Sequence, residues 1–221
     1  MLEAILFDLD GTLADTDSIH FAVWQDILVR YDLDIDRAFY RQRISGRTNS
    51  RIIKDIIPQL TLEDAWKLAT EKEETYRRLA NSLLPTPGLE RLIELIERAS
   101  LKKAIVTNAP EDNAVYMLKV LRLTDTFPTV IMAKDAPPGK PDPAPYQLAL
   151  SRLMVKNHKA IAFEDSAAGI RSAIDAGIYT IGITSSHPAE DLLNAGANMT
   201  IEDFNDRQLW KLLDSKTKAS Y

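Results

Sequence analysis

The chain has 221 residues, 45% of them hydrophobic, which suits one large domain or a domain carrying a sizeable insertion. Its formal net charge of −5 argues against a general binder of nucleic acid or of anionic membranes. It has no cysteine, which excludes a disulfide framework and thiolate metal sites.

Ala4 to Phe7 is an apolar run long enough for one buried strand, and it ends in Asp8, Asp10 and Gly11. No basic region precedes it and the two acids interrupt it, so neither a signal peptide nor a membrane span is expected. Asp15 to Ser18 reads as a helix start, followed by Ile19, Val23 and Ile27 on one face. Further helices are predicted over 34–42 and 50–57. A third opens at Thr61, where Asp64 completes a capping pattern, with Leu62, Trp66, Ala69, Tyr76 and Ala80 on one stripe. Leu84 to Gly88, with two prolines, reads as a linker.

From there strands alternate with helices. Helix is predicted over 89–98, strand over 103–107, a helix opening at 108–112, and strand over 129–132. A proline-rich loop over 136–145 leads into a helix ending near Met154. Strand follows over 160–163, helix over 166–176, strand over 180–183, helix over 189–194 and a last strand over 198–201. The polar tail from about Asp214 is expected to fray. This alternation predicts an α/β fold, a parallel sheet with helices on both faces. Residues 1–14 and 87–221 would form that core, and 15–86 an inserted α-helical cap.

In a parallel sheet the loops after the strands share one edge, where ligands bind. That edge would gather Asp8, Asp10, Thr107, Asn108, Lys140, Glu164 and Asp165. Four carboxylates together raise one another's pKa unless a cation sits among them, and an all-oxygen donor set favours Mg²⁺ over zinc. A metal-bound carboxylate with a lysine and a threonine hydroxyl in reach suits phosphoryl transfer. Asp8 could attack phosphorus, Asp10 could serve as acid and base, and Thr107, Asn108 and Lys140 could hold phosphate oxygens.

Four ordered motifs carry a resemblance: Asp8-Leu-Asp-Gly-Thr12, Val106-Thr-Asn108, Gly139-Lys-Pro-Asp142 and Phe163-Glu-Asp-Ser166. The chain resembles the haloacid dehalogenase superfamily, within it the β-phosphoglucomutase-like group with a helical cap. The resemblance implies a Rossmann-like core, a mobile cap, Asp8 as nucleophile and Asp10 as acid/base. It implies Lys140 and Thr107 as phosphate ligands, and Mg²⁺ held by Asp8, the Asp10 carbonyl, Glu164 and Asp165. It also implies that His20 and Trp24 lie near substrate. Arg47, after Gly46 in a turn, and Lys72 either meet an anionic substrate or are solvated charges.

One departure bears on activity. The mutases resemble Gly-x-Ser-Arg where this chain reads Gly46-Arg-Thr-Asn49, so Asn49 stands where an arginine would hold a second phosphate. The expectation is therefore a cytoplasmic, monomeric Mg²⁺-dependent phosphatase. Its substrate would be a small phosphorylated metabolite: a sugar phosphate, glycerol phosphate or phosphoglycolate. β-Phosphoglucomutase activity is the enzyme alternative. A non-catalytic phospho-acceptor, such as a receiver domain, is the alternative of another class, and the long helical insertion argues against it.

Overall fold

The structure is a computed structural model and describes residues 1–217. Six strands form one sheet: β1 (Ala4–Phe7), β2 (Lys102–Thr107), β3 (Val130–Met132), β4 (Ala160–Glu164), β5 (Tyr179–Ile183) and β6 (Met199–Ile201). Their order is β3-β2-β1-β4-β5-β6 and every pairing is parallel. The order turns at β1, so the loop after β1 sits at the switch point of the sheet.

Alternate residues of each strand face opposite sides. Ile5 and Phe7 pack with Ile105, Ile161, Phe163 and Ile181 under helices α5 (Leu89–Arg98), α6 (Glu111–Val120) and α10 (Arg207–Thr217). Ala4, Leu6, Ala104, Val106 and Ala162 face α7 (Ala144–Leu153) and α8 (Ala167–Asp175). A further helix, α9 (Ala189–Asn194), joins β5 to β6. The Phe7 ring stacks on Phe163 at 5.4 Å and meets Phe127 edge-on at 5.6 Å. Losing such a ring costs about 3–5 kcal/mol. It anchors β1 directly beneath Asp8.

Between β1 and α5 lie α1 (Asp17–Val29), α2 (Arg37–Arg43), α3 (Asn49–Ile56) and α4 (Leu62–Leu79). They enclose a core of their own, including Trp24, Ile27, Tyr40, Ile52 and Leu68. Chain entry and exit run side by side: Ala14 pairs with Pro85, and Thr86 donates from N to the Leu13 carbonyl at 2.8 Å. Asp36 caps α2, accepting from Phe39 N at 2.7 Å, and Thr61 caps α4, accepting from Asp64 N at 3.1 Å.

Two expectations need correction. On α4 the predicted stripe is covered only in its C-terminal half: Tyr76 and Ala80 are fully buried, whereas Leu62 and Trp66 are 92% and 69% exposed. The tail is not frayed from Asp214, because Asp206 caps a helix that continues to Thr217 and buries Leu209 and Leu213. Residues 218–221 lie outside the described residues. Among the described residues no helix is long and apolar enough to cross a membrane.

Candidate active site

Asp8 follows β1 directly, its N–H donating to the Phe163 carbonyl of β4 at 2.9 Å. Gly11 makes the next turn at φ +72°, and a Cβ there would lie 2.1 Å from Asp165 Oδ2. Only glycine lets this backbone approach the second acid so closely. Lys140 reaches the same point from the loop before α7. It is 2% exposed and donates to Asp8 Oδ1 and to Glu164 Oε1, both at 2.5 Å. Tyr146 donates to the same Glu164 oxygen at 2.6 Å.

Asp8, Glu164 and Asp165 each offer an oxygen within 4.8 Å of the others. Burial pushes the carboxyls of Asp8 and Asp165 well above the usual range, and repulsion from Glu164 adds to both. For Lys140 burial works against the charge, but Asp8 and Glu164 outweigh it and its pKa is raised. Five carboxylates line the cavity, those of Asp8, Asp10, Asp17, Glu73 and Asp165, against three cations, Arg47, Lys72 and Lys140. That excess, built from oxygens alone, fits a hard divalent cation between Asp8 and Asp165. Glu164 sits behind the cavity wall. Its Oε2 accepts no hydrogen bond among the described residues and lies against Gly169, where a Cβ would be 1.8 Å away.

Thr107 ends β2, faces the cavity, and accepts from Ala109 N at 3.0 Å, which leaves its hydroxyl hydrogen for a ligand. Asn108 is placed differently from the sequence expectation of a donor to phosphate. Its amide hydrogens go to the carbonyls of Gly46 at 2.9 Å and Lys140 at 3.1 Å, and its Oδ1 accepts from Lys140 N at 3.0 Å. The side chain is a strut between the insertion and the Lys140 loop.

The insertion is seated on this edge. Gly46, at φ +71°, packs so tightly on Ser166 that a Cβ would lie 2.3 Å from its Oγ, and Arg51 donates to the Lys140 carbonyl at 3.2 Å. Asp10 Oδ1 accepts from Thr16 at 2.9 Å, from His20 Nε2 at 3.0 Å and from the Tyr76 hydroxyl at 3.4 Å. The His20 ring stacks on Tyr76 at 4.1 Å. Lys72 Nζ stands 2.9 Å from His20 Nδ1. An ammonium can only donate, so the imidazole accepts on Nδ1 and carries its hydrogen on Nε2. Burial raises Asp10, but the His20 and Thr16 hydrogen bonds and the Lys72 charge prevail and its pKa is lowered.

Trp24 lines the cavity but is 1% exposed and packs mainly within the insertion. Arg47 also lines it, with its guanidinium on Asp55 and on the Arg43 carbonyl at 2.8 Å. The structure thus brings Asp8, Asp10, Thr107, Lys140, Asp165, His20, Trp24 and Lys72 around one cavity.

A model of the haloacid dehalogenase-like hydrolases matches residues 5–183. The chain belongs to this family. It is 31% identical over 200 residues to a phosphorylated carbohydrates phosphatase of Thermotoga maritima, covering 89% of this chain and 92% of the relative. It is 27% identical over 217 residues to the β-phosphoglucomutase of Bacillus subtilis, covering 94% and 92%. A solved haloacid dehalogenase hydrolase of family IA, variant 3, from Entamoeba histolytica superposes with a TM-score of 0.86 at 29% identity, covering 98% of this chain and 100% of that one.

Several residues around the cavity of this hydrolase escape a reading by motif. Thr16 and Tyr76 hold Asp10, and Ser186 donates to Asp165 Oδ2 at 2.5 Å. Ser186 follows β5 at the same sheet edge, so the strand-end rule would have found it. Tyr76 reads as one more apolar residue of α4, and its role shows only in the fold.

Proposed function

We propose that the chain is a Mg²⁺-dependent phosphatase that hydrolyses a small phosphomonoester through a phosphorylated Asp8. The observation that carries this reading is the division of labour between two acids two residues apart. Asp8 is held by Lys140 in the core, and Asp10 by His20, Thr16 and Tyr76 beneath the insertion.

Lys140 occupies Asp8 Oδ1, leaving Oδ2 to form the bond to phosphorus. The bond from phosphorus to the leaving alkoxide breaks as Asp10 gives that oxygen a proton. A phosphate arriving beside Asp10 adds negative charge and raises its pKa, which loads the acid when substrate is bound. Asp10 then takes a proton from water, the water oxygen bonds to phosphorus, and the bond to Asp8 breaks, releasing inorganic phosphate. Thr107 and Lys140 hold the transferring oxygens in line. Mg²⁺ held by Asp8, the Asp10 carbonyl and Asp165, with the Glu164 carboxylate behind them adding negative charge or a further oxygen, would supply electrostatic stabilisation of the transferring phosphoryl group. Residues 15–86 act as a cap that closes over substrate, with hinges near 14–17 and 84–88.

The substrate class is a sugar phosphate, a polyol phosphate or phosphoglycolate, and the phosphatase named among the relatives supports it. The acidic, cysteine-free composition supports a cytoplasmic enzyme, read here as a monomer. Hydrolysis is favoured over mutase chemistry because Asn49 spends its amide on Glu73 Oε1 at 2.5 Å. The test is phosphate release from a panel of phosphomonoesters with Mg²⁺ or EDTA, with Asp8→Asn as control. Metal-dependent release lost in the variant is the expected result. Glucose 6-phosphate formed from β-glucose 1-phosphate without phosphate release would replace this reading with a mutase, and no turnover of any ester would leave a phospho-acceptor.

A further inference from the structure

The cap carries a second buried carboxylate on the cavity wall, that of Glu73, which is 6% exposed. It lies three hydrogen bonds beyond Asp10, through His20 and Lys72. Its Oε1 accepts from Asn49 at 2.5 Å and from Lys72 at 2.9 Å, and its Oε2 accepts from Asn113 of α6. Asn113 in turn accepts from Arg77 at 2.6 Å. Burial raises the Glu73 carboxyl, but the charge of Lys72 and the Asn49 hydrogen bond outweigh it and its pKa is lowered, so the group is ionised at neutral pH.

This carboxylate decides what the far end of the cavity can accept. All three cations of the wall are engaged: Lys140 by Asp8 and Glu164, Lys72 by Glu73 and His20, and Arg47 by Asp55 and the Arg43 carbonyl. A second anionic group would meet two amides and a carboxylate. Hydroxyl groups meet better partners, because Asn49 Oδ1 accepts no hydrogen bond among the described residues and a hydroxyl can donate to it or to the Glu73 carboxylate, both on the cavity wall.

We propose that Glu73 is a specificity-determining residue that takes Lys72 out of anion binding and so restricts the substrate to phosphomonoesters whose leaving group is neutral and hydroxyl-bearing. This rests on the phosphatase reading and narrows its substrate class to sugar and polyol phosphates, setting aside phosphoglycolate, whose leaving group carries a carboxylate. Selection here works by a repulsive element, an acid placed against the unwanted second phosphate.

The test is calorimetric titration of the Mg²⁺-loaded Asp8→Asn protein, in which chemistry is off, with fructose 1-phosphate and fructose 1,6-bisphosphate. With Glu73 present the monophosphate should bind at least about 30-fold more tightly, and Glu73→Gln should narrow that ratio by about tenfold through tighter bisphosphate binding. Asn49→Asp, which adds a like charge beside Glu73, should widen it and serves if Glu73→Gln does not fold. Equal affinities in the parent, or a ratio unmoved by the substitutions, would overturn the proposal. Phosphate release by the unmodified enzyme reports separately on the reaction. If release were absent and the binding ratio behaved as stated, the phosphatase reading would fail while the role of Glu73 stood.

Discussion

Lys72 donates to the Nδ1 of His20 across 2.9 Å, and this contact sets the tautomer of the imidazole that faces Asp10. The two residues lie on different helices of the cap, α1 and α4, and Asp10 lies in the core. The hydrogen bonds that hold the Asp10 carboxylate are therefore complete only when the insertion is seated on the sheet edge.

His20→Ala should lower kcat by about 100-fold, the usual worth of an oriented acid/base group, with little change in KM for a small ester. Lys72→Met leaves the ring but frees its tautomer, and a loss of about tenfold in kcat is expected. Steady-state kinetics on one ester settles both. A pure KM effect in either variant would mean that the pair binds substrate and does not orient Asp10.

Asp8→Asn should reduce turnover by more than about 1,000-fold, because an amide is no nucleophile. The melting temperature of the metal-free variant should not fall. The substitution removes one of three mutually repelling buried carboxyls, and Lys140 keeps Glu164. A large fall in melting temperature together with lost activity would point to a structural ion pair instead.

The core half of the site was legible because acids at the end of an apolar run contradict their surroundings. Asp8 after Phe7 and Asp165 after β4 stand out as charges where a buried strand would continue. The cap half was hidden by the same logic working in reverse. Glu73 and Tyr76 sit on the helical stripe shared with Ala69 and Ala80, and periodicity does not reveal that this stripe leaves the cap core and turns toward a cavity. Leu62 and Trp66 continue it outward into solvent, for which nothing in the structure gives a reason. The last helix was missed although Leu209, Leu212 and Leu213 have helical spacing, because its polar residues resemble a tail until Asp206 is seen to cap it.

Mg²⁺ should stabilise the protein more as pH rises. Burial raises the folded-state pKa values of Asp8 and Asp165, so protonation of these groups favours the folded state fully below the unfolded value of about 3.9, and that contribution is lost as pH climbs through the folded values. The cation needs the deprotonated pair and competes with those protons. The gain in melting temperature from millimolar MgCl₂ should thus be larger at about pH 8 than at about pH 5. An equal gain at both would place the ion elsewhere.

Gly46→Ala should loosen the cap without harming either core. The added Cβ would collide with Ser166 Oγ at 2.3 Å, and φ +71° is strained for alanine. Seating of the cap weakens, so Asp10 loses the grip of His20 for part of the time. A fall in kcat of about tenfold, with melting temperature nearly unchanged, is the expected kinetic signature. An unchanged kcat would show that the contact between Gly46 and Ser166 does not limit closure.

Ser186→Ala tests how Asp165 is held. Ser186 donates to Asp165 Oδ2 at 2.5 Å and stands 2.8 Å from His187 Nδ1, while His187 Nε2 lies 3.4 Å from the Arg41 carbonyl of the cap. Removing the hydroxyl frees one carboxylate of the acidic group and breaks a side-chain link from it to the cap through this loop. Outer partners of metal ligands typically account for about 10- to 100-fold in metal affinity. Titration of the variant with Mn²⁺, read by electron paramagnetic resonance of the free ion, should show weakening in that range while the metal-free melting temperature moves little. Unaltered affinity would mean that Gly11 and the backbone alone orient Asp165, with Ser186 serving only the turn after β5.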